Sequence, residues 1–265
     1  MEKYSLIDTH THLFSKDFDE DRREVVQRAI AAGVDKMFLP NIDRYSFSKM
    51  NDLADEFPHH CMPMLGLHPC SVKEDWETQL KLLEAALPLR PYYGIGECGL
   101  DKYWDLTHLS SQEEVLRISC SWAKQYALPI ILHTRNATRE TIDLIAREKD
   151  SQLRGIFHCF GGTIEEAKEI LAMGDFYLGI GGVVTFKNGG LDKILAHIGL
   201  EKVVLETDSP YLAPVPYRGK RNESVYLTYI VEKIAEYSGY TEADTARITT
   251  ENAEAVFGLK NIGGF

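Results

Sequence analysis

Eight short apolar runs recur along this chain, and each is followed by a stretch with the length and pattern of a helix. The runs are Tyr4–Asp8, Val34–Pro40, Cys61–Leu67, Tyr92–Glu97, Pro129–His133, Gly155–His158, Phe176–Ile180 and Val203–Glu206. At four to seven residues they suit strands and are too short for helices. Strands that alternate with helices imply a parallel sheet with right-handed crossovers. Eight such units predict an α/β fold of the (β/α)8, TIM-barrel type. A length of 265 residues is ordinary for one such barrel. Residues 1–265 are therefore expected to form a single domain, with residues 258–265 as a tail.

Local signals mark the helix ends. Ser110-Ser111-Gln112-Glu113 has the spacing of a capping box, ahead of Val115, Ile118, Trp122 and Tyr126 on one helical face. Thr163-Ile164-Glu165-Glu166 repeats the device before Ala167, Ile170 and Leu171. Gly33, Gly174 and Gly199 stand where helices should stop. A last pair of helices is expected at about Glu223–Tyr237 and Thr241–Phe257. A doubly wound open sheet is the competing topology, but no G-x-G-x-x-G follows the first strand and no G-x-x-x-x-G-K-[ST] occurs.

Polar residues fall at one place in these units. The first strand runs into "IDTHTHLF", where Asp8, His10 and His12 alternate and so share a strand face. His68 follows the third strand, Glu97 ends the fourth, His133 the fifth and His158 the sixth, and Asp208 follows the eighth. In a closed barrel the C-terminal strand ends meet at one mouth, where active sites lie. One histidine at a strand end is ordinarily just a satisfied polar residue, but five of the nine (His10, His12, His68, His133, His158) hold such positions. His59, His60, His108 and His197 read as surface or helix residues. His10, His12, His133 and His158, with Glu97 and Asp208, form a mixed imidazole–carboxylate set that suits two divalent ions such as Zn, Mn or Fe(II). Glu97 could bridge them, His68 faces the substrate, and Asp8 reads as a supporting carboxylate.

The bulk composition narrows the partners. Lys plus Arg is 29 and Asp plus Glu is 40, a formal charge of −11, which disfavours broad adhesion to nucleic acid or anionic membrane. Phosphate recognition must then be local. Five cysteines without a C-x-x-C pair suggest neither a disulfide framework nor a zinc knuckle. No apolar signal core or run of about 18 apolar residues is present, so a cytoplasmic location is the expectation.

"IDTHTHLF", "GLHP", "GIGECGLD", "ILHTRNA", "HCFGG", "LETDSPYLAP" and "YRGKRNES" resemble, in order and spacing, the TatD-type metal-dependent hydrolases. The resemblance spans nearly the whole chain. It implies a two-metal barrel that hydrolyses phosphodiesters, notably as a deoxyribonuclease acting 3′ to 5′, while the charge of −11 and a recessed barrel mouth give the expectation that single-stranded DNA ends are preferred. Ligand positions carry over to His10, His12, Glu97, His133, His158 and Asp208, with Mg, Mn or Zn as the ions. Substrate contacts carry over to His68, Arg135 and Arg218. Asp208 would take the proton of the attacking water, and Glu206 would support the site. Lys220 and Arg221 extend the basic loop, and Tyr103, Trp104 and Phe160 could stack on bases. Three positions depart from the family pattern: Asn136, Ser224 and Cys98. The first two are expected near the substrate. Two other readings stand beside this one. One is a hydrolase of an amide, lactone or phosphotriester, although such barrels often use a bridging lysine, and none occurs in Tyr92–Leu100. The other is a barrel kept only for partner binding.

Overall fold

The computed structural model describes residues 5–259. Tyr4 and residues 260–265, where the start of the first expected strand and most of the expected tail fall, lie outside the described residues. The strands are β1 (Leu6–Asp8), β2 (Val34–Pro40), β3 (Cys61–Met64), β4 (Ile95–Gly99), β5 (Ile130–His133), β6 (Gly155–Phe157), β7 (Phe176–Ile180) and β8 (Val203–Leu205). The helices are α1 (Arg22–Ala31), α2 (Phe47–Glu56), α3 (Trp76–Ala86), α4 (Leu109–Gln125), α5 (Thr138–Glu148), α6 (Ile164–Ala172), α7 (Leu191–Ile198), α8 (Leu227–Ser238) and α9 (Glu242–Phe257). Parallel ladders join β1-β2-β3 and β4-β5-β6-β7-β8. Single bridges from Leu65 to Ile95 and from Thr11 to Ser209 close the ring into a (β/α)8 barrel. Among the described residues no helix is long and apolar enough to cross a membrane.

Strand periodicity explains where the mouth gets its polar lining. Ile131, Ile156, Tyr177 and Val204 point into the barrel, where they pack with Ile7, Phe38, Met62 and Met64. The flanking residues, such as Leu132, Phe157, Leu178 and Leu205, point outward to the helices. Two residues further along, the same inward face carries His133, His158, Gly179 and Glu206. An apolar layer therefore floors a polar one. The opposite end is plugged by α9, whose Ala253, Val256 and Phe257 join the inner cluster; Phe257 stacks on Phe38 with ring centroids 3.6 Å apart.

β2 and β7 have the expected bounds, and the other six strands are shorter than the sequence suggests. Regular pairing in β1 stops at Asp8 and in β3 at Met64, so His10, His12 and His68 lie in the turns beyond. β4 begins at Ile95 rather than Tyr92, although Tyr93 N–H already donates to Pro63 O at 2.9 Å. The Thr163 capping box forms, with Glu166 N–H donating to Thr163 Oγ1 at 3.1 Å and Thr163 N–H to Glu166 Oε2 at 2.7 Å. The expected box at Ser110 does not. α4 starts at Leu109, and Gln112 is buried, its Oε1 accepting from Asp101 N–H at 2.9 Å. Gly33, Gly174 and Gly199 all take the positive φ expected where a helix ends. The first helix of the last pair begins at Leu227 rather than at Glu223, after a 3-10 turn at Ser224–Tyr226.

Candidate active site

The seam that closes the barrel supplies three of the site residues. Past β1 and β8 the chain continues as an irregular pair. Thr9 N–H donates to Leu205 O at 2.9 Å, Asp208 N–H to His10 O at 2.9 Å and His12 N–H to Ser209 O at 2.7 Å. Asp208 holds this position in the left-handed region, at φ 55°, which a short polar side chain tolerates. Asp8 does not join the imidazoles. Its carboxylate turns across the seam to accept from Thr207 N–H at 2.9 Å and Thr207 Oγ1 at 2.6 Å. Burial raises the Asp8 carboxyl to about 7 despite the Ser224 and Thr207 donors.

Four donor atoms converge here. His10 Nε2 and His12 Nε2 are 3.2 Å apart and lie 3.2 and 3.4 Å from Glu97 Oε2. Asp208 Oδ1 is 3.8 and 3.6 Å from the same nitrogens, and its side chain keeps 15% of its exposure. A second group forms around the other oxygen of Glu97. His133 Nδ1 is 2.8 Å from Glu97 Oε1, His68 Nε2 3.4 Å and His158 Nε2 3.7 Å. His158 stacks on His10 with centroids 3.5 Å apart, and its Nδ1 lies 3.1 Å from Glu206 Oε1. All six expected ligands and His68 are thus brought together, with Glu97 between the two groups.

Electrostatics are dominated by buried carboxylates. Burial would raise Glu97, but the His68 and His10 imidazoles hold its carboxyl well below the usual range. Asp208 is lowered in spite of burial by His12 and His158. His12 is raised to about 9 against burial by Asp208 and Glu97, and His158 to about 10 by Glu206 and Glu97. His133 is raised as well, by Asp101 and Glu97, whereas burial lowers His10 and His68. The carboxylates thus draw protons onto His12, His133 and His158, positive charge that divalent cations could supply in their place. Two imidazole nitrogens that face each other at 3.2 Å, beside two carboxylate oxygens, fit a metal better than a hydrogen-bond network. Among the described residues the buried Nδ1 atoms of His10 and His12 find no hydrogen-bond partner, and the Nε2 atoms are the ones that face Glu97 and Asp208.

Three further residues belong to the site, and none was singled out from the sequence. Asp101 is buried and accepts from His133 Nε2 at 2.9 Å through one oxygen. Its other oxygen accepts from the N–H groups of Tyr103 and Trp104, at 2.9 and 3.1 Å. Asn222 donates from Nδ2 to Thr207 O and Tyr211 O, both at 2.7 Å, and so braces the turn that carries Asp208. Gly179 leaves room for Glu206, since a Cβ there would sit 2.2 Å from Glu206 Oε2. The last D of "GIGECGLD" and the N of "YRGKRNES" are the sequence signal for Asp101 and Asn222.

The expected substrate groups divide. A cavity of about 1360 Å³ opens above the donors, lined by His68, Trp104, Arg135, Asn136, Tyr211, Arg218 and Lys220 among others. Arg135 and Arg218 are exposed, and among the described residues neither pairs with a carboxylate. His68 caps the turn at Pro69–Ser71, its Nδ1 accepting from Cys70 N–H at 3.0 Å, which leaves Nε2 for the site. Arg221 does not fit the expectation. Its guanidinium is committed to Asp21 at 2.7 Å and Glu223 at 2.9 Å and packs over Phe18. Phe160 is buried at 2% exposure and cannot stack on a ligand. Ser224 is fully buried, its Oγ 3.5 Å from Thr11 Oγ1, so that departure lies beneath the site, whereas Asn136 does line the cavity. Cys98 is buried against β5, its thiol directed at Ile131 O.

Known proteins resemble this chain over nearly its whole length. The sequence model of a family described as "TatD related DNase" matches residues 7–258. The chain is 38% identical over 253 residues to the "Uncharacterized metal-dependent hydrolase YabD" of Bacillus subtilis, covering 95% of this chain and 98% of that protein. It is 34% identical over 261 residues to the "3'-5' ssDNA/RNA exonuclease TatD" of Citrobacter rodentium, covering 96% and 98%. Among solved structures, a TatD homologue from Escherichia coli K12, YJJV, superposes with a TM-score of 0.89 at 27% identity, covering 96% of this chain and 98% of that one.

Proposed function

This chain belongs to the TatD-related DNase family and is a metal-dependent hydrolase acting on ester bonds; we propose that it trims single-stranded DNA from its ends, in the 3′-to-5′ direction. The observation that carries the reading is the meeting of two donor groups on Glu97 beneath two guanidinium groups that have no carboxylate partner among the described residues, in a cavity larger than most small-molecule sites. His10, His12, Glu97, His133, His158 and Asp208 would hold two divalent ions, Mg, Mn or Zn. Such ions, when bound, supply charge neutralisation at a phosphoryl group and acidify water.

The chain's own groups do the rest. Asp208, the donor carboxylate most open to the cavity, accepts the proton of the attacking water. Glu97 keeps both donor groups in register. Arg135 and Arg218 present planar donor pairs to phosphate oxygens, and His68 offers Nε2 from a ring already fixed through Nδ1. With a net charge of −11, little else on the surface attracts a polyanion. Few phosphate contacts mean a shallow salt dependence, about 0.7 per phosphate on a single strand. A recessed mouth admits a frayed end more easily than a phosphate within a duplex. Free thiols at Cys61, Cys70, Cys98, Cys120 and Cys159 fit a reducing, cytoplasmic setting.

The test is degradation of an end-labelled single strand beside a covalently closed single-stranded circle, with Mg²⁺ or Mn²⁺. The linear strand should shorten stepwise while the circle survives. Equal cutting of both would refute end-trimming. Hydrolysis of a small ester with neither DNA touched would refute the nuclease reading.

A further inference from the structure

The turn between β4 and α4 presents two large aromatic side chains to solvent at the cavity rim. Trp104 is 67% exposed and Tyr103 52%, and their rings meet edge to face at 4.8 Å. Burial of aromatic area is the usual source of stability, so a turn that holds two such rings outward gains nothing for the fold. The presentation is nonetheless firmly built. Buried Asp101 accepts from both backbone N–H groups, Gln112 holds Asp101 N–H, and Lys102 N–H donates to Arg135 O at 3.0 Å. Arg135 then lays its guanidinium over the Tyr103 ring at 3.8 Å and within 5.3 Å of Trp104.

From this arrangement we infer that Tyr103, Trp104 and Arg135 form a stacking platform for an unpaired nucleobase of the strand whose phosphate lies in the site. The ligand class follows from the chemistry: a flat apolar face with a cation beside it suits a base attached to a phosphate. Asp101 gives the platform its reach. The same carboxylate that caps the Tyr103–Trp104 turn is bonded to His133 Nε2, so the base-holding turn and the metal-holding group share one buried anchor. Stacking is tolerant of base identity, and the platform therefore selects single strands over duplex without selecting sequence. This inference rests on the nuclease reading and adds a subsite to it.

The test measures binding of a fluorescein-labelled single-stranded oligonucleotide to the full-length protein. The strand is used intact or with tetrahydrofuran abasic residues near its 3′ end. Trp104→Ala should weaken binding of the intact strand about 5- to 150-fold, the range for one lost base stack, and leave binding of the abasic strand unchanged. Trp104→Phe should restore most of the loss. Equal weakening of both strands would make Trp104 merely structural and overturn the inference. So would unchanged binding in a Trp104→Ala protein that still degrades DNA. A wild-type protein that binds neither strand would overturn the platform and the nuclease reading together.

Discussion

Replacing Asn222 with Ala should cost both stability and turnover, although Asn222 touches no donor atom of the site. Its side chain is fully buried, donates twice at 2.7 Å to Thr207 O and Tyr211 O, and accepts from Glu223 N–H at 2.9 Å. A neutral hydrogen bond contributes about 1 kcal/mol net, so three lost bonds amount to roughly 3 kcal/mol. The carbonyls left dry add to that. For a domain of this size the loss should lower the melting temperature by roughly 6–12 °C. The two carbonyls flank Asp208, which sits at φ 55° between cross-seam bonds, so the turn should also lose its single geometry. A displacement of this kind should lower kcat by ~10-fold or more. Thermal melting by circular dichroism and turnover on a labelled single strand are the assays. An Asn222→Ala protein that melts within about 1 °C of wild type at unchanged kcat would refute the bracing argument.

Asp208→Asn should keep the fold and lower kcat by ~10²-fold or more, the scale of a lost general base; near-normal kcat with metal bound would refute the proton-accepting assignment. Gly179→Ala should destabilise the protein by about 1–3 kcal/mol through overpacking, because its Cβ would fall 2.2 Å from Glu206 Oε2 with no solvent to yield into. Denaturant melts read this directly, and an unchanged midpoint would contradict it. Arg218→Ala should raise KM with kcat little changed and reduce the salt slope of strand binding by about 0.7, with metal content unaltered; an unchanged slope would remove Arg218 from the phosphate contacts.

The barrel could be read from the chain because its strands alternate with helices at regular intervals, a local signal that survives whatever the strands pack against. The meeting of the six expected ligands at one mouth was legible for the same reason: the end of a strand is a definite place in a barrel. What failed depends on contacts between distant segments. "YRGKRNES" looks like one basic loop, yet Arg221 turns to Asp21, which lies 200 residues earlier, while Arg218 and Lys220 line the cavity. Ser224 was expected beside the substrate but is drawn under Thr11 by the closing seam. No local pattern marks the role of Asp101, and only the approach of β5 gives its carboxylate a histidine to hold. The Ser110 box was overruled by Gln112, whose amide is used on the neighbouring turn. Pattern shows which face a residue takes, but not what meets it there.

The central claim is that the donors around Glu97 hold the divalent ions on which hydrolysis depends. Metal content measured by mass spectrometry after dialysis against Mn²⁺ tests it, on wild type and on the His10→Ala/His12→Ala variant. Wild type should carry about two ions per chain, in keeping with a two-metal site. The double variant should lose metal and activity while keeping its circular dichroism spectrum, because the apolar layer beneath the site is untouched. A folded double variant that retains full metal occupancy would contradict the account.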